Sequence, residues 1–371
     1  MALGCQPFAT KQWLSSRPGA ATVLLGEPAV EARSSGEGRG LGLFATRTIQ
    51  AFSEILSEAP TILLGPTDDL PQLYAQFLAL REPGSDAFQQ KYLALSYNEV
   101  PERDARLREK LGERGFDPRG IDEMVKVASI MQTNAFNVDV GDGSGRNHRG
   151  LFANVARINH SCAPNAHVCF YQSESTDVSG RMVVHALRDL QAGEEVLIAY
   201  FSILLPRSER QSKARKWGFT CQCSACKSDK DSHERQRKVV TGFAEKQTTL
   251  MRESRPTLKQ IADLIASGQN VISKVSKEGS LRPVVPDLYD NLAMLRAKAL
   301  LVQGKESQRD GVVEFLEQAA IIEAKLTGAS SPATKRRLHK VEQFAARSSS
   351  LGSPYIRVVG RDEYTVAWDS A

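Results

Sequence analysis

A chain of 371 residues is long enough for two or three domains with at least one sizeable core. At 41% hydrophobic and 25% charged residues it has the balance of an ordinary soluble protein, and no run approaches the ~18 apolar residues of a membrane span, so no membrane partner is expected. The net charge of +5 and pI near 8.8 suit an acidic or nucleosome-like partner but do not indicate direct nucleic-acid binding.

Met1 to Pro18 lacks the basic start, apolar run and small-residue cleavage site of a secretory leader, so the expected location is the nucleus or the cytoplasm, without secretion. Ala21 to Leu25 is a short apolar run, and the glycine-rich stretch Ser34 to Gly42 is a flexible loop. Leu43-Phe44-Ala45, Ile55-Leu56 and Ile62-Leu63-Leu64 continue as short strands. No Gly-Lys-Ser/Thr follows the glycines, which excludes a nucleotide P-loop.

From Asp68 to about Thr133 the spacing becomes helical. Leu70, Leu73, Phe77 and Leu80 share one face, Phe88, Tyr92 and Leu95 another, and Asp117-Pro118 opens a helix carrying Ile121, Met124, Val125, Ala128 and Met131. This block interrupts a strand-rich region and reads as an insert that serves packing. Gly141 to Gly145 and Ser173 to Gly180 are loop signals, Val168 to Tyr171 and Arg181 to Leu187 read as partner strands, and Val196 to Tyr200 as a buried strand. The basic run Arg207 to Lys216 reads as a solvated helix face in preference to a surface that meets an acidic substrate.

Past residue 230 the character changes to stripes of helical period. Leu288, Leu292, Leu295, Ala299 and Val302 form one stripe closed by Gly304, and Val312, Phe315, Leu316, Ala319, Ile322 and Leu326 another closed by Gly328. Pro332 opens a third, and Tyr355 to Trp368 alternate like a terminal strand. The fold class is therefore α+β, with small sheets, a helical insert and a C-terminal all-α domain.

Chemistry concentrates in a few places. Cys221, Cys223 and Cys226 supply three thiolates, and tetrahedral zinc takes four ligands; the fourth comes from His233 or from a distant thiol, for which Cys162 is the natural candidate. The stretch Arg157 to Asn165 packs two amides, an imidazole and a thiol into a turn. Asn159 and His160 there admit three readings: a satisfied polar turn, a cofactor contact, or a general base beside a Cys162 nucleophile, the last incompatible with a metal-bound Cys162. Tyr200, after Gly193-Glu194-Glu195, closes a core strand and alone is unremarkable in that place.

Taken in order, Gly38-Arg39-Gly40-Leu41-Gly42-Leu43-Phe44-Ala45, Asn159-His160-Ser161-Cys162, Gly193-Glu194-Glu195 through Tyr200, and the Cys-x-Cys-x-x-Cys tail resemble the motifs of the SET-domain lysine methyltransferases. Thr133-Asn134-Ala135-Phe136 and Trp217-Gly218-Phe219-Thr220-Cys221 bring the resemblance nearest to the SET and MYND-type branch. Residues 46 to 130 hold no cysteine, so the MYND finger of that branch is absent and the chain is similar to the MYND-less, largely fungal SET proteins.

The resemblance implies a SET-like fold with a pseudoknot, divided as 20–67 and 134–205 for the two parts of the SET domain, 68–133 for the insert, 206–230 for a zinc-binding post-SET segment, 231–350 for the helical domain and 351–371 for a tail. It implies S-adenosylmethionine as cofactor, contacted by Gly38, Arg39, Gly40, Asn134, Asn159, His160, Tyr200 and Phe219, with Phe219 on the adenine and Tyr200 catalytic. It also implies one structural zinc on Cys162, Cys221, Cys223 and Cys226, and a protein substrate presenting a lysine, such as a histone or another protein. Ile198 stands where the family carries an aromatic residue that tunes methylation count, leaving mono-, di- and trimethylation open. The competing reading is an inactive SET-fold scaffold that binds partners through its C-terminal helices.

Overall fold

The computed structural model describes residues 28–36, 38–81, 86–141, 146–172, 180–227, 232–277, 279–305, 308–345, 354–358 and 364–368. The run Ala21 to Leu25, the loop at 142–145 and most of the loop after Gln172 lie outside these residues. Two units divide the chain, the first taking residues up to Thr46, Leu56–Ile158 and Phe170–Met182, the second Arg47–Ile55, Asn159–Cys169 and Val183 onward.

In the first unit, β1 (Val30–Ser34) and β2 (Leu41–Ala45) form an antiparallel hairpin running from Val30 opposite Ala45 to Ser34 opposite Leu41. After β3 (Glu54–Glu58), the strands β4 (Ile62–Leu64), β5 (Phe136–Val138) and β6 (His148–Leu151) make a sheet in the order β4-β6-β5. Between β4 and β5 the expected insert supplies four helices: α1 (Leu70–Leu78), α2 (Ala87–Leu93), α3 (Pro101–Glu113) and α4 (Pro118–Asn134). The start of α4 follows from its sequence, since Pro118 fits the first helical position and the Asp117 carboxylate accepts the Arg119 N–H at 3.0 Å. The periodic residues Leu73, Phe77, Leu80, Tyr92 and Leu95 bury against Ile62, Leu64, Val127, Ile130, Met131 and Leu151. Tyr92 carries a hydroxyl into that core and pairs it with the Val127 carbonyl at 2.8 Å.

Glu58 closes β3 by accepting the N–H groups of Asn154 (3.0 Å) and Val155 (2.9 Å). That fixes the start of the 3-10 turn Val155–Arg157, after which the chain continues into Asn159.

The second unit contains β7 (Asn159–His160), β8 (Ala166–Tyr171), β9 (Arg181–Ala186) and β10 (Leu197–Ile198), although β8 and β9 each begin or end in the first. Strand β7 pairs parallel with β10, and β3, β9 and β8 form a sheet in that order. Helices α5 (Arg207–Lys216) and the single turn α6 (Ser224–Lys227) flank the cysteine tail. Beyond them come α7 (Ser232–Arg252), α8 (Leu258–Val275), α9 (Val285–Gln303), α10 (Asp310–Thr327), α11 (Pro332–Ala345) and the hairpin β11 (Pro354–Val358) with β12 (Tyr364–Trp368). Among the described residues no helix is long and apolar enough to cross a membrane.

Two of these helices precede the first stripe recognised in the sequence. Helix α7 carries few apolar residues, Val240, Phe243 and Leu250 being its buried ones, so its period is faint. Helix α9 is buried on two sides, with Leu288, Leu292, Leu295 and Ala299 in one core and Ala293 and Leu300 in another shared with Val312, Leu316 and Val341. Arg337 of α11 holds the bundle from the side by pairing with Asp287, Asp290 and Glu323 at 2.7–2.9 Å.

Gly268 sits where α8 crosses its neighbours, and a Cβ there would lie 2.6 Å from Leu292 Cδ2 and 2.7 Å from the Phe243 ring. Alanine normally improves a helix interior by about 1 kcal/mol over glycine, but both neighbours are buried and cannot withdraw. Gly268→Ala is expected to lower stability by about 1–3 kcal/mol, read as a shift in the denaturant midpoint; an unchanged or raised midpoint would contradict this packing.

His185 on β9 is a buried polar residue, 6% exposed with no hydrogen-bond partner at Nδ1. Burial, and secondarily His167, pushes it down to about 4 from an ordinary 6.5. Because the folded value lies below the unfolded one, the neutral ring costs nothing above pH 6.5 and stability is lost as pH falls towards 4. Between pH 7 and 5 His185 alone contributes a loss of about 2 kcal/mol, so His185→Leu should flatten the pH dependence of the unfolding midpoint over that interval by a comparable amount.

Candidate functional site

The polar turn of the second unit is organised by Asn165, which sequence reasoning passed over. It is 2% exposed and every polar group it has is used. Its backbone N–H donates to Leu197 (3.1 Å), and its backbone carbonyl accepts from Leu187 (2.8 Å). Its side-chain oxygen accepts the Leu197 N–H (2.7 Å), and its amide donates to the Glu195 carbonyl (2.8 Å) and the Glu194 carboxylate (3.2 Å). One side chain thus clamps the turn onto the Gly193-Glu194-Glu195 segment, and the β7–β10 pairing follows, with Ser161 N–H donating to Ile198 at 2.9 Å. Asn159 joins the same arrangement by donating its amide to Glu195 at 2.9 Å.

That pairing puts His160 opposite Ile198 and brings Tyr200 alongside it. The Tyr200 backbone N–H donates to His160 Nδ1 at 3.1 Å, and His160 Nε2 stands 3.4 Å from Cys162 Sγ. Burial drives the His160 ring down to about 4, so it is neutral at physiological pH. Around it lie Phe201 at 4.3 Å, Tyr200 at 5.3 Å and Phe219 at 5.8 Å between ring centroids, and Tyr200 in turn packs against Trp217 at 5.2 Å. All four aromatic residues are partly exposed, forming a face with an apolar body and a phenolic hydroxyl. The strand expected to run to Tyr200 stops at Ile198, so the tyrosine sits in a bend held by its contact to the imidazole.

Behind this face four sulfurs converge. The Sγ atoms of Cys162, Cys221, Cys223 and Cys226 all lie within 4.8 Å of one another, with Cys162 3.9 Å from Cys221 and 3.6 Å from Cys226. Zinc–sulfur bonds of ~2.3 Å in a tetrahedron require sulfurs about 3.8 Å apart. His233, the other candidate for the fourth ligand, instead pairs Nδ1 with Ser280 at 3.4 Å. Hydrogen bonds from Cys162 and Cys221 hold the Cys223 thiol well below its ordinary value, while bonds to Cys221 and Cys223 push Cys162 up. Cys162 is also 0% exposed, which removes the reading of a Cys162 nucleophile with a His160 base.

The surroundings of the quartet have the charge a metal–thiolate centre needs. Arg210 and Arg237 are 0% and 1% exposed. Arg237 donates to the carbonyls of Cys162 and Ile203, and Arg210 pairs with Glu234 at 3.1 Å. Two buried guanidinium charges face one carboxylate, an imbalance that four thiolates on a divalent ion would offset. Gln211 grips the Cys221 backbone from both sides, Nε2 to carbonyl at 2.8 Å and N–H to Oε1 at 3.2 Å, and Arg207 donates to the Cys226 carbonyl. The donor set and its surroundings fit zinc. The reading of Arg207 to Lys216 as a solvated face fails at Arg210, whose charge is buried for this centre; nothing in the local sequence separates it from its exposed neighbours.

The remaining expected site residues lie in the first unit. Gly36, Gly38 and Gly40 hold φ of 97°, 72° and 67°, backbone that other residues rarely adopt, and shape the loop between β1 and β2. A Cβ on Gly40 would stand 3.2 Å from Ser96 Oγ, and the Asn134 amide donates to the Ser96 carbonyl at 2.8 Å and the Ile130 carbonyl at 2.9 Å. Ser96, which carries no local signal of a role, therefore links the glycine loop to Asn134. Arg39 is exposed on the loop.

Part of the chain resembles known proteins. Residues 40–201 match the family model of the SET domain. Histone-lysine N-methyltransferase SET5 of Meyerozyma guilliermondii is 30% identical over 131 residues, 35% of this chain and 25% of that protein. Human histone-lysine N-methyltransferase SMYD3 is 30% identical over 119 residues, 32% of this chain and 24% of that protein. The chain thus spans about a quarter of the length of these relatives. A solved structure of the SET domain of LSMT bound to lysine and AdoHcy aligns with 91% of this chain and 90% of that one, at 14% identity and a TM-score of 0.38. Residues 40–201 are thus similar to a SET domain, and about a third of the chain is similar to the SET5 and SMYD3 methyltransferases.

Proposed function

We propose that this protein is an S-adenosylmethionine-dependent methyltransferase acting on the ε-amine of lysine in a protein substrate. The observation that carries the proposal is the placement of Tyr200 in a half-buried aromatic setting, its backbone tied to His160 and its ring packed between Trp217 and Phe219. Gly38, Arg39, Gly40, Asn134, Asn159, His160, Tyr200 and Phe219 would hold the cofactor, which supplies a methyl group activated by its sulfonium. One zinc on Cys162, Cys221, Cys223 and Cys226 would be structural, since all four positions are filled by thiolates and none is left open for chemistry.

The residues define what kind of catalysis is available. Both ring nitrogens of His160 are engaged, so it is no general base. A free lysine titrates near ~10.4 and must lose its proton before attack; an apolar setting such as Trp217, Phe201 and Phe219 lowers that value by disfavouring the charge. The Tyr200 hydroxyl would orient the amine lone pair, and alignment rather than proton transfer would carry the rate.

A histone is the first substrate to test, because the matched relatives carry that name, with a nucleosome as its assembled form and the nucleus or cytoplasm as the setting. Incubation of the protein with labelled cofactor, core histones and, separately, whole-cell lysate should label protein lysines. Tyr200→Phe should cut the rate by about 100-fold or more while leaving binding of S-adenosylhomocysteine within a few-fold. A folded wild-type protein that binds neither cofactor form would sink the proposal.

A further inference from the structure

We infer that the His160 side chain is a positioning residue that couples the metal centre to the backbone of Tyr200, leaving only its main chain for the cofactor. This rests on the reading of Tyr200 and of the cysteine quartet given above. A neutral imidazole has one N–H and one lone pair. The Tyr200 N–H donates to Nδ1 at 3.1 Å, which places the proton on Nε2, and Nε2 is 3.4 Å from Cys162 Sγ. With that tautomer the ring donates to a metal-ligating sulfur and accepts from the tyrosine, while the Ile198 carbonyl beside the ring is the acceptor that the other tautomer would use.

The bond to sulfur depends on the state of the centre. A thiolate held on a metal accepts the Nε2–H as a charge-assisted bond, whereas a thiol is a weaker acceptor. The ring cannot swing to compensate, because Phe201 packs 4.3 Å from it and the strand pairing of β7 with β10 fixes its backbone. Metal loading and the seat of Tyr200 are thus linked through a single side chain, in addition to whatever the metal does for the fold of the tail. The arrangement is the outer-sphere support common for metal ligands, with its far end tied to the reacting face.

Two substitutions separate the halves of this link. His160→Asn keeps an acceptor near the Nδ1 position and loses the bond to sulfur; His160→Gln keeps an amide N–H near the Nε2 position and loses the acceptor for Tyr200. In chelator competition His160→Asn should bind zinc at least about 10-fold more weakly, and in the cobalt-substituted protein its sulfur-to-cobalt charge-transfer band should move to lower energy. His160→Gln should keep both close to wild type while kcat for a lysine peptide falls with little change in KM. Nitrogen-15 spectra of the zinc-loaded wild-type protein should show His160 protonated at Nε2, a measurement that needs no variant to fold. Wild-type metal affinity and an unmoved cobalt band in His160→Asn, or a proton on Nδ1 in the wild type, would overturn the inference. Metal affinity, cobalt spectra and the tautomer are read without methyl transfer, so a protein that failed to bind cofactor would refute the proposed function and still leave this link to be decided on its own measurements.

Discussion

Four sulfur atoms held within 4.8 Å of one another, beside two buried guanidinium groups, impose the constraint on which the rest of the site depends. Thiolates this close repel strongly in a low-dielectric interior unless a cation stands among them. Isolated buried guanidiniums are equally costly unless they meet anionic charge. Each half of the arrangement makes the other tolerable, and together they explain why a short tail of loops and one helical turn can hold a fixed shape. What depends on that shape is the aromatic face, since Phe219 stands two residues before Cys221 and Trp217 two residues before Phe219.

The polar turn shows a second form of economy. Asn159, His160, Cys162 and Asn165 lie within seven positions, and each faces a different neighbour: Glu195, the Tyr200 backbone, the sulfur quartet and the Leu197 strand. Division of this kind needs a backbone that cannot slide, and two residues of parallel pairing would not supply it alone. Asn165 does, because a side chain with both a donor and an acceptor can imitate a further rung of the ladder. Glu194 and Glu195 then serve as acceptors for the turn and do not enter the chemistry.

Much of this was legible in the amino-acid order, for reasons that are physical. Cys-x-Cys-x-x-Cys announces a cluster of sulfurs at metal-ligand spacing, to which Cys162 comes from afar, and Asp117-Pro118 or Gly304 mark helix ends through backbone requirements that do not depend on the rest of the fold. The apolar stripes of α1 and α2 are legible because those short helices pack into one core, whereas α4 buries Ile121, Met124 and Val125 in one cluster and Val127, Ile130 and Met131 in another, so its stripe shows only part of the pattern. Other parts could not be read. Arg210 and Arg237 look like solvent-facing cations until the sulfurs arrive beside them from elsewhere in the chain, and Ser96 acquires its place only through Gly40 and Asn134. Helix α9 shows half of its pattern as a stripe because two cores compete for its surface. Long-range partners, rather than weak local signals, account for these gaps.

The span of the cysteine centre along the chain has a bearing on how the protein is made. Cys162 lies 59 residues before Cys221, and the carbonyl of Cys162 is capped by Arg237, 75 residues downstream. During synthesis the turn from Asn159 to Cys162 therefore leaves the ribosome well before its sulfur partners and its cationic cap have been translated. In that interval the cysteine is without its sulfur partners, and the tyrosine bend has His160 but neither Trp217 nor Phe219 to pack against. Completion of the cysteine cluster and its cationic cap is a late event in the life of the nascent chain, timed by the emergence of α7.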